Sequence, residues 1–393
     1  MRIKLTLLAV LAATGIAAAQ SYSVLYSFGG TNQGYAPQNG LVADAVGNLY
    51  GTTAYGGAST YGTIFELPVT GGEKVLYTFS GNWDGAYPAS SVILDAAGNI
   101  YGTARQGGYS NCQDFGCGLV FKLTPDHRFT ALHIFRDAPD GSFPGGGLIL
   151  DGLGNLYGTT SYGGLGYGVI YRIDPSGHEK VLYKFIGTPD GNSPVSQLVR
   201  DSSGNLYGTT QWGGSAGYGT VYRLDRTGKE TVLYSFTGAP DGRIPGTGTL
   251  IFDPSGNLYG TTQYGGDLSC FQNAAGCGVV YKLDKAGNET ILYTFHGGTD
   301  GGVPVAGVIL DSKGNLYGTA SYGGDFDGPS CSNVGCGIIY ELSPAGQETI
   351  LHTFRFTDGA APEGGLIFQK GYLYGTAEEG GSKVGGVAFQ LQP

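Results

Sequence analysis

Charged residues are scarce in this chain, and helical patterns are scarcer still. Only 13% of the 393 residues are charged, and beyond the N-terminus no long stretch has the periodicity of a helix. The 74 glycines and 28 tyrosines instead suit short strands joined by tight turns, because glycine supplies positive φ and tyrosine packs on half-buried pleated surfaces. The composition therefore predicts an all-β protein.

Basic residues are also few, since 21 lysines and arginines face 31 aspartates and glutamates, for a formal net charge of −10. Arg2 and Lys4 are the only charges in residues 1–20, so the balance without that stretch is 19 minus 31, or −12. This acidity disfavours nucleic acids and anionic membrane surfaces as partners. Its simplest role is solubility.

Long apolar runs are absent beyond the N-terminus. There, Arg2 and Lys4 precede an apolar run from Leu5 to about Ala18, and Ala19 ends a small-residue pattern. Residues 1–20 are therefore predicted to be a secretory signal peptide cut near Ala19. An uncleaved anchor is the alternative, although the run falls short of the roughly 20 residues that span a bilayer. The mature chain is expected to be a soluble, exported monomer, either periplasmic or extracellular, without membrane insertion.

What the chain has in abundance is one motif, Gly-Asn-Leu-Tyr-Gly-Thr-Thr, with close and degenerate variants. The seven copies begin at Gly47, Gly98, Gly154, Gly204, Gly256, Gly314 and Gly371. The apolar residue before the tyrosine recurs every 50 to 58 residues. A period of that length indicates a propeller or a solenoid built from one small repeated unit.

Each unit divides into four short strands, A to D. In the fifth unit these are Gly248–Phe252, Leu258–Thr262, Val279–Leu283 and Thr290–Phe295. Four antiparallel strands in about 50 residues match the blade of a β-propeller, whereas a β-helix needs much shorter coils. The mature chain opens on a strand of type D, at Ser21–Phe28, and the seventh unit stops after its strand C. The N-terminal strand is therefore expected to complete the last blade.

The sequence thus predicts a seven-bladed β-propeller as one domain over residues 21–393. Its repeats lie near residues 38–79, 89–135, 145–185, 195–236, 246–295, 305–354 and 363–393 plus 21–28. In this strand order the D-to-A and B-to-C loops emerge on one face, called the loop face below. The A-to-B and C-to-D turns emerge on the other, called the turn face.

The B-to-C loops carry the candidate binding residues. Most open with an aromatic residue and two glycines, at Tyr55, Tyr162, Trp212, Tyr264 and Tyr322. Two blades break this rule with Arg105-Gln106 and Glu378-Glu379, and these departures flank Tyr55 in the ring. A polar notch beside aromatic platforms would suit a sugar, because function is one reason for a repeat to break its own pattern. Degeneration next to the closing blade is the other explanation.

Aspartates recur on both faces. Those in the A-to-B and C-to-D turns are predicted to accept hydrogen bonds from their own turns. The D-to-A loops repeat Asp-Gly-x-x-Pro, at Asp84, Asp140, Asp190, Asp241, Asp300 and Asp358. These carboxylates either fix a turn or form a ring that attracts Ca²⁺ or a basic partner. Calcium needs several oxygens converging on one ion, so no cofactor is predicted and calcium is the one candidate.

All six cysteines lie in lengthened B-to-C loops, as the close pairs Cys112/Cys117, Cys270/Cys277 and Cys331/Cys336. In an exported protein such pairs predict local disulfides. Zinc is the weaker alternative, because the spacing does not fit paired C-x-x-C ligands.

The sequence gives little support for catalysis, and no catalytic residue is predicted. Gly213–Gly217 matches Gly-x-Ser-x-Gly, but it lies between two strands, whereas a nucleophile elbow needs a strand-to-helix turn. The five histidines fall in turns, in a loop or at outer strands. A binding module for an extracellular glycan, envelope component or protein is favoured. A secreted polysaccharide lyase or hydrolase and a purely structural envelope protein are the alternatives.

The repeat as a whole resembles the GloVer tandem repeat of exported bacterial proteins, named for Gloeobacter and Verrucomicrobia. The resemblance is carried by Asp-x-x-Gly-Asn-Leu-Tyr-Gly-Thr-Thr-x-Tyr-Gly-Gly, followed by strands such as Gly219–Leu224 and Glu230–Phe236, and it covers residues 21–393. It implies export and often a C-terminal surface anchor, but no established activity or catalytic residues. The sequence shows no such anchor before Pro393, so release is expected over surface attachment.

Overall fold

Seven copies of the motif produce seven sheets around one axis. The computed structural model describes residues 20–393 apart from 31, 89, 109–111, 113–114, 271–274, 327–329 and 332. Each blade is built on four antiparallel strands, to which blades 2, 4 and 5 add a short fifth strand at Ala86–Pro88, Asn192–Pro194 and Arg243–Pro245, so the prediction of a seven-bladed β-propeller is confirmed. All but the last residue of the predicted signal peptide, residues 1–20, lie outside the described residues. Among the described residues, no helix is long and apolar enough to cross a bilayer.

The strands of the blades, taken from blade 1 to blade 7, have the following bounds. Strand A is Val42–Ala43, Ile93–Leu94, Ile149–Leu150, Val199–Arg200, Ile251–Phe252, Ile309–Leu310 and Ile367–Gln369. Strand B is Leu49–Thr53, Ile100–Gln106, Leu156–Thr160, Leu206–Trp212, Leu258–Tyr264, Leu316–Ala320 and Tyr372–Ala377. Strand C is Thr63–Leu67, Leu119–Leu123, Val169–Ile173, Thr220–Leu224, Val279–Leu283, Ile338–Leu342 and Val387–Gln392. Strand D is Lys74–Thr78, Phe129–Ile134, Glu179–Lys184, Glu230–Ser235, Glu289–Thr294, Glu348–Thr353 and, for blade 7, Ser21–Ser27.

The N-terminal strand closes the ring, as predicted. Ser21–Ser27 pairs antiparallel with Val387–Gln392. Tyr22 in this strand stacks on His352 of blade 6, with ring centroids 3.7 Å apart, and its hydroxyl donates to the Asp358 carbonyl at 2.7 Å. Both ends of the chain therefore lie in one blade, and the sheet edge that strand C of blade 7 would otherwise expose is covered.

Aromatic side chains from strands C and D fill every interface between blades. At each one, the phenylalanine after strand D packs on the strand-C ring of the next blade, as Phe236 does on Tyr281 at 5.1 Å between centroids. The other six pairs are Phe28–Phe65, Phe79–Phe121, Phe135–Tyr171, Phe185–Tyr222, Phe295–Tyr340 and Phe354–Phe389. The glycine after the motif tyrosine makes room for this ring, since a Cβ on Gly260 would lie 2.5 Å from the Tyr281 hydroxyl. The repeated glycine is thus required by packing.

The rest of the motif is a hydrogen-bonded turn. In blade 5 the Asp253 carboxylate accepts from the Asn257 backbone at 2.9 Å, from its side chain at 2.6 Å and from the Tyr259 hydroxyl at 3.2 Å. Partial burial raises the pKa of Asp253, but these hydrogen bonds outweigh it and leave the pKa below its usual value. The predicted role of the turn aspartates is therefore confirmed. The same bonds recur at Asp44, Asp95, Asp151, Asp201 and Asp311.

Strand A is shorter than the sequence predicts. In blade 5 only Ile251–Phe252 pairs with strand B, not all of Gly248–Phe252. The reason lies at the axis, where the Gly248 N–H donates to the Val305 carbonyl of blade 6 at 3.3 Å. A Cβ on Gly248 would collide with the backbone of Gly307. At Gly248 the chain therefore bonds to the next blade, between two stretches, Arg243–Pro245 and Ile251–Phe252, that pair with strand B of blade 5.

Three disulfides, Cys112–Cys117, Cys270–Cys277 and Cys331–Cys336, span the lengthened B-to-C loops. Their Cα atoms lie 5.0, 6.0 and 5.2 Å apart, and no cysteine is left free. The predicted pairing is confirmed, and the zinc alternative is excluded.

Candidate functional site

The loop face holds a cavity of about 970 Å³ over blades 1 to 3. Only D-to-A and B-to-C loop segments and the adjoining strand ends form it, because these emerge together on this face. Its lining side chains include Gln38, Tyr55, Tyr87, Arg105, Gln106, Phe115, Asp137, Ser142, Phe143 and Tyr162. This volume lies within the usual range of ligand pockets.

Two pairs of aromatic rings line the cavity. Tyr55 of blade 1 meets Tyr87 of blade 2 edge to face, with centroids 5.4 Å apart, and Tyr35 stacks on Tyr55 at 5.5 Å. Phe143 and Tyr162 of blade 3 meet edge to face at 5.9 Å. Tyr55 is 39% exposed and Tyr162 50% exposed, so both present ring surface to solvent.

Polar groups from blade 2 share this cavity with the rings. Strand B of this blade runs on to Gln106, which pairs with Ala86 and thereby places Arg105 and Gln106 in the lining. Arg105 is exposed and has no ion pair with any described residue. Asp137, also in the lining, accepts a hydrogen bond from the Ser142 hydroxyl at 2.7 Å. The cavity therefore offers a cation, an amide and a carboxylate beside aromatic faces.

Four of the predicted binding residues come together in this cavity, namely Tyr55, Arg105, Gln106 and Tyr162. The cavity is linked to blade 7 through Gln38, whose side-chain amide donates to Glu378 at 2.7 Å. The remaining predicted residues lie on the loop face outside its lining: Trp212, Tyr264, Tyr322, Glu378 and Glu379. Blades 1 and 2 thus join their predicted residues to those of blade 3. Outside this cavity Tyr322 lies near Tyr264, Glu378 and Glu379, and burial together with these neighbours raises its pKa.

Sequence reasoning missed Tyr87 and Phe143. Each precedes the proline of Asp-Gly-x-x-Pro and has a left-handed backbone, with φ of 53° and 55°. The equivalent residues in the other blades also have positive φ but are smaller or aliphatic: Ala36, Ser193, Ile244, Val303 and Ala361. Aligning the seven D-to-A loops on their prolines would have shown that only blades 2 and 3 place an aromatic ring there.

A narrower channel of about 280 Å³ follows the axis, and Gln38 lines both spaces. Glu363 of blade 7 lies in the channel wall. Burial, together with the nearby carboxylates of Glu378 and Glu379, raises the pKa of Glu363 to about 7. Burial likewise raises the pKa of Glu378 in spite of its hydrogen bond from Gln38. The charge at this mouth therefore changes near neutral pH.

The aspartates of the D-to-A loops are engaged within their own blades. Asp241 accepts from the Tyr234 hydroxyl at 2.7 Å and from the Thr237 backbone at 3.0 Å, and Asp140 pairs with His133 at 3.0 Å. Among the described residues, no three His, Cys, Asp or Glu side chains group closely enough to hold a metal. The calcium ring stays a prediction, and the observed contacts hold strand D to the loop that follows it.

Ser215, the serine of the Gly-x-Ser-x-Gly match, bonds only to the edge of its own blade. Its backbone N–H donates to the Ser235 hydroxyl at 2.7 Å, and the two hydroxyl oxygens lie 3.2 Å apart. The loop runs from strand B to strand C, so it does not form the strand-to-helix turn of a nucleophile elbow.

Comparison with solved structures finds other propeller-like proteins at low identity. One is the extracellular domain of a protein assigned as a hybrid two-component system of B. thetaiotaomicron, with a TM-score of 0.57 and 12% identity. The match covers 95% of this chain and 39% of that one. Others are a gluconolactonase from Xanthomonas campestris (TM-score 0.45, 14% identity, 94% and 99% covered) and a luciferin-regenerating enzyme (TM-score 0.48, 14% identity, 95% of each chain covered). At 12% identity, the likeness to the extracellular domain shows a shared fold alone.

No curated protein matches the sequence. A family model does: the Gloeobacter/Verrucomicrobia repeat matches residues 15–200, 113–328 and 270–393. These overlapping matches extend over the whole propeller and include every copy of the motif. The chain belongs to the Gloeobacter/Verrucomicrobia repeat family.

Proposed function

We propose that this protein is an exported binding module that takes a saccharide in the loop-face cavity of blades 1 to 3. The observation that carries the proposal is the pairing of exposed aromatic faces, at Tyr55 and Tyr162, with Arg105 and Gln106 in one cavity. Sugar rings have apolar C–H faces and polar rims. Aromatic rings contact the faces, while a guanidinium and an amide satisfy the hydroxyl groups.

Export of the chain belongs to this proposal. The disulfides are consistent with an oxidising compartment. The likeness to an extracellular sensor domain points to the same side of the membrane. A soluble binding protein in that compartment meets envelope and environmental glycans, which is the ligand class that the cavity suits.

Binding is favoured over hydrolysis of the saccharide. Glycoside hydrolases usually place two carboxyl groups across the scissile bond. Among the described lining residues Asp137 is the one carboxylate, and one of its oxygens already accepts from Ser142.

The proposal is tested by screening residues 21–393 on a glycan array and measuring the best ligands by calorimetry. Tyr162→Ala should weaken binding about tenfold, which corresponds to one aromatic contact. Trp212→Ala is the matched control, because Trp212 holds the same repeat position, is 43% exposed and lies outside the cavity. Equal losses in both variants, or no glycan bound at all, would overturn the assignment. Released sugars in the same samples would point to an enzyme instead.

A further inference from the structure

A second cavity, of about 390 Å³, lies on the turn face between blades 3 and 4. Four basic residues line this space, which is called the basic cleft below: Arg172, Lys180, Arg200 and Arg226. They stand out on a chain with a formal net charge of −10. None of the four side chains hydrogen-bonds to or forms an ion pair with another described residue.

Two of these charges face each other directly. Arg172 on strand C pairs in register with Lys180 on strand D, and like charges opposite one another destabilise a sheet. In blade 1 the same register places Glu66 opposite Lys74, and there the two form an ion pair at 3.4 Å. Blade 3 thus places two cations opposite each other where blades 2, 4, 5 and 6 have a threonine in strand D. The Arg172 Nε is buried without a hydrogen-bond partner among the described residues, as is the equivalent Arg223 Nε of blade 4.

The other two charges belong to blade 4, and one of them, Arg200, breaks the repeat pattern. The last residue of strand A is apolar in blades 1, 2, 3, 5 and 6, but blade 4 has Arg200. The second residue after strand C is proline in blades 2, 3 and 6, at Pro125, Pro175 and Pro344, whereas blade 4 has Arg226 and blade 5 has Lys285. Both side chains converge on Gly204, since a Cβ built there would lie 3.1 Å from Arg200 Nη2 and 3.1 Å from Arg226 Cδ.

The carboxylates in the cleft do not pair with these cations. Asp151 accepts from the backbones of Leu153 and Asn155 and from the Tyr157 hydroxyl, at 2.9, 2.9 and 3.0 Å. Asp225 accepts from Thr227 and Lys229 within its own turn. Both carboxylates are thus engaged by turn donors, and four cations against two carboxylates leave the cleft positive.

We infer that the basic cleft binds an anionic saccharide, with its carboxylate groups held by Arg200 and Arg226. Guanidinium groups bind carboxylates through paired, charge-assisted hydrogen bonds. The cleft also has apolar surface for a sugar ring, because Leu153 in its lining is 81% exposed. The Arg200 guanidinium lies over the Tyr157 ring, 5.8 Å from its centroid, and this contact helps to hold the guanidinium in the cleft. The site is a recess between two blades, a shape that suits a chain of sugars better than a flat membrane. The negative charge of the whole protein disfavours nucleic acid.

The test is calorimetric titration of residues 21–393 with a galacturonate trimer at low and high salt. Arg200→Leu introduces the residue of blades 2, 3 and 6, and Arg226→Pro introduces the proline that the same three blades carry, so both variants should fold with unchanged melting temperatures. Each should weaken binding about tenfold, and high salt should weaken it for the native protein. Lys74→Ala, which removes a basic residue from the equivalent face of blade 1, and Tyr162→Ala, which alters the loop-face cavity, should leave galacturonate binding unchanged.

Maltotriose and pyrophosphate serve as the other two ligands. Binding of galacturonate but not of neutral maltotriose, lost in the two arginine variants, supports the inference. Equal affinity in the native protein and both arginine variants overturns it, as does tighter binding of pyrophosphate, which would mark a simple oxyanion site. A loss in Tyr162→Ala alone also overturns it, because the ligand would then occupy the loop-face cavity.

Discussion

The hydroxyl of Tyr234 in blade 4 lies 3.0 Å from Glu289 Oε2 in blade 5 and so joins neighbouring strands D. The same hydroxyl lies 2.7 Å from Asp241 Oδ2. A phenol has one proton and cannot donate to two carboxylates at once. Burial raises the pKa of Glu289 to about 7, so below that pH Glu289 carries the second proton. Tyr293 forms the same link with Asp300 and Glu348, whose pKa burial also raises to about 7.

These links make the stability of the propeller pH-dependent. A carboxyl whose pKa is raised by folding stabilises the fold most at pH values below its unfolded pKa, and that contribution is lost as pH rises through about 7. The turn aspartates have the opposite effect. Folding lowers their pKa values, so their contribution to the free energy of unfolding is lost only in strong acid, where they become protonated. The denaturation midpoint should therefore be higher at about pH 5 than at about pH 8.

Glu289→Gln should flatten this profile, because the amide keeps a link to Tyr234 but does not titrate. Glu66→Gln is the matched control, since Glu66 pairs with Lys74 outside the Tyr–Glu links. Urea denaturation followed by fluorescence at several pH values measures both variants. If the urea midpoint of the native protein instead rose from acid to neutral pH, the prediction would be wrong, because these glutamates would then be ionised in the folded state.

Stability should depend more on the rings between blades than on exposed aromatic residues. Phe236 is fully buried against Tyr281, so Phe236→Ala should cost about 3 to 5 kcal/mol in the free energy of unfolding. Phe368 is 52% exposed, and Phe368→Ala should cost less than about 1 kcal/mol. Denaturant titration compares the two variants, and similar losses in both would contradict a dominant role for the rings between blades.

The architecture could be predicted because it repeats. The period of the Gly-Asn-Leu-Tyr motif counts the blades, and the strand-D pattern at Ser21–Phe28 reveals how the ring closes. Local disulfides followed from paired cysteines in the same loop, such as Cys270 and Cys277. Each of these features depends on residues close in sequence or on a pattern seen many times.

The cavity and the short strand A could not be predicted in the same way. Tyr87 and Phe143 occupy the second x of Asp-Gly-x-x-Pro, where the motif specifies no residue type. They matter because the loops of neighbouring blades enclose the same cavity. Gly248 leaves strand A because Gly307 of the next blade lies against it. Such contacts join residues of different blades, since Tyr87 meets Tyr55 from 32 positions away and Gly248 meets Gly307 from 59, and no pattern within a single repeat encodes them.

The turn that carries the motif should contribute measurable stability. Asp253→Ala removes the acceptor of three hydrogen bonds, from Asn257 and Tyr259, and leaves these donors partly buried without partners. The expected cost is about 1 to 3 kcal/mol. Ser255→Ala in the same turn is the control and should change the free energy of unfolding by less than about 0.5 kcal/mol. Equal effects in thermal melts would contradict a structural role for the carboxylate.

The residues before the loop-face prolines should decide where a saccharide binds. Tyr87→Ser and Phe143→Ser introduce the side chain that blade 4 carries at Ser193, where φ is also positive at 58°. Both variants should fold, because the backbone conformation already occurs with serine, and each should weaken binding of the saccharide found on the array about tenfold by removing one aromatic contact. Ile244→Ser makes the same type of change in blade 5, outside the cavity, and should bind like the native protein. If all three variants bind equally well by calorimetry while their melting temperatures stay native, the saccharide does not occupy this cavity.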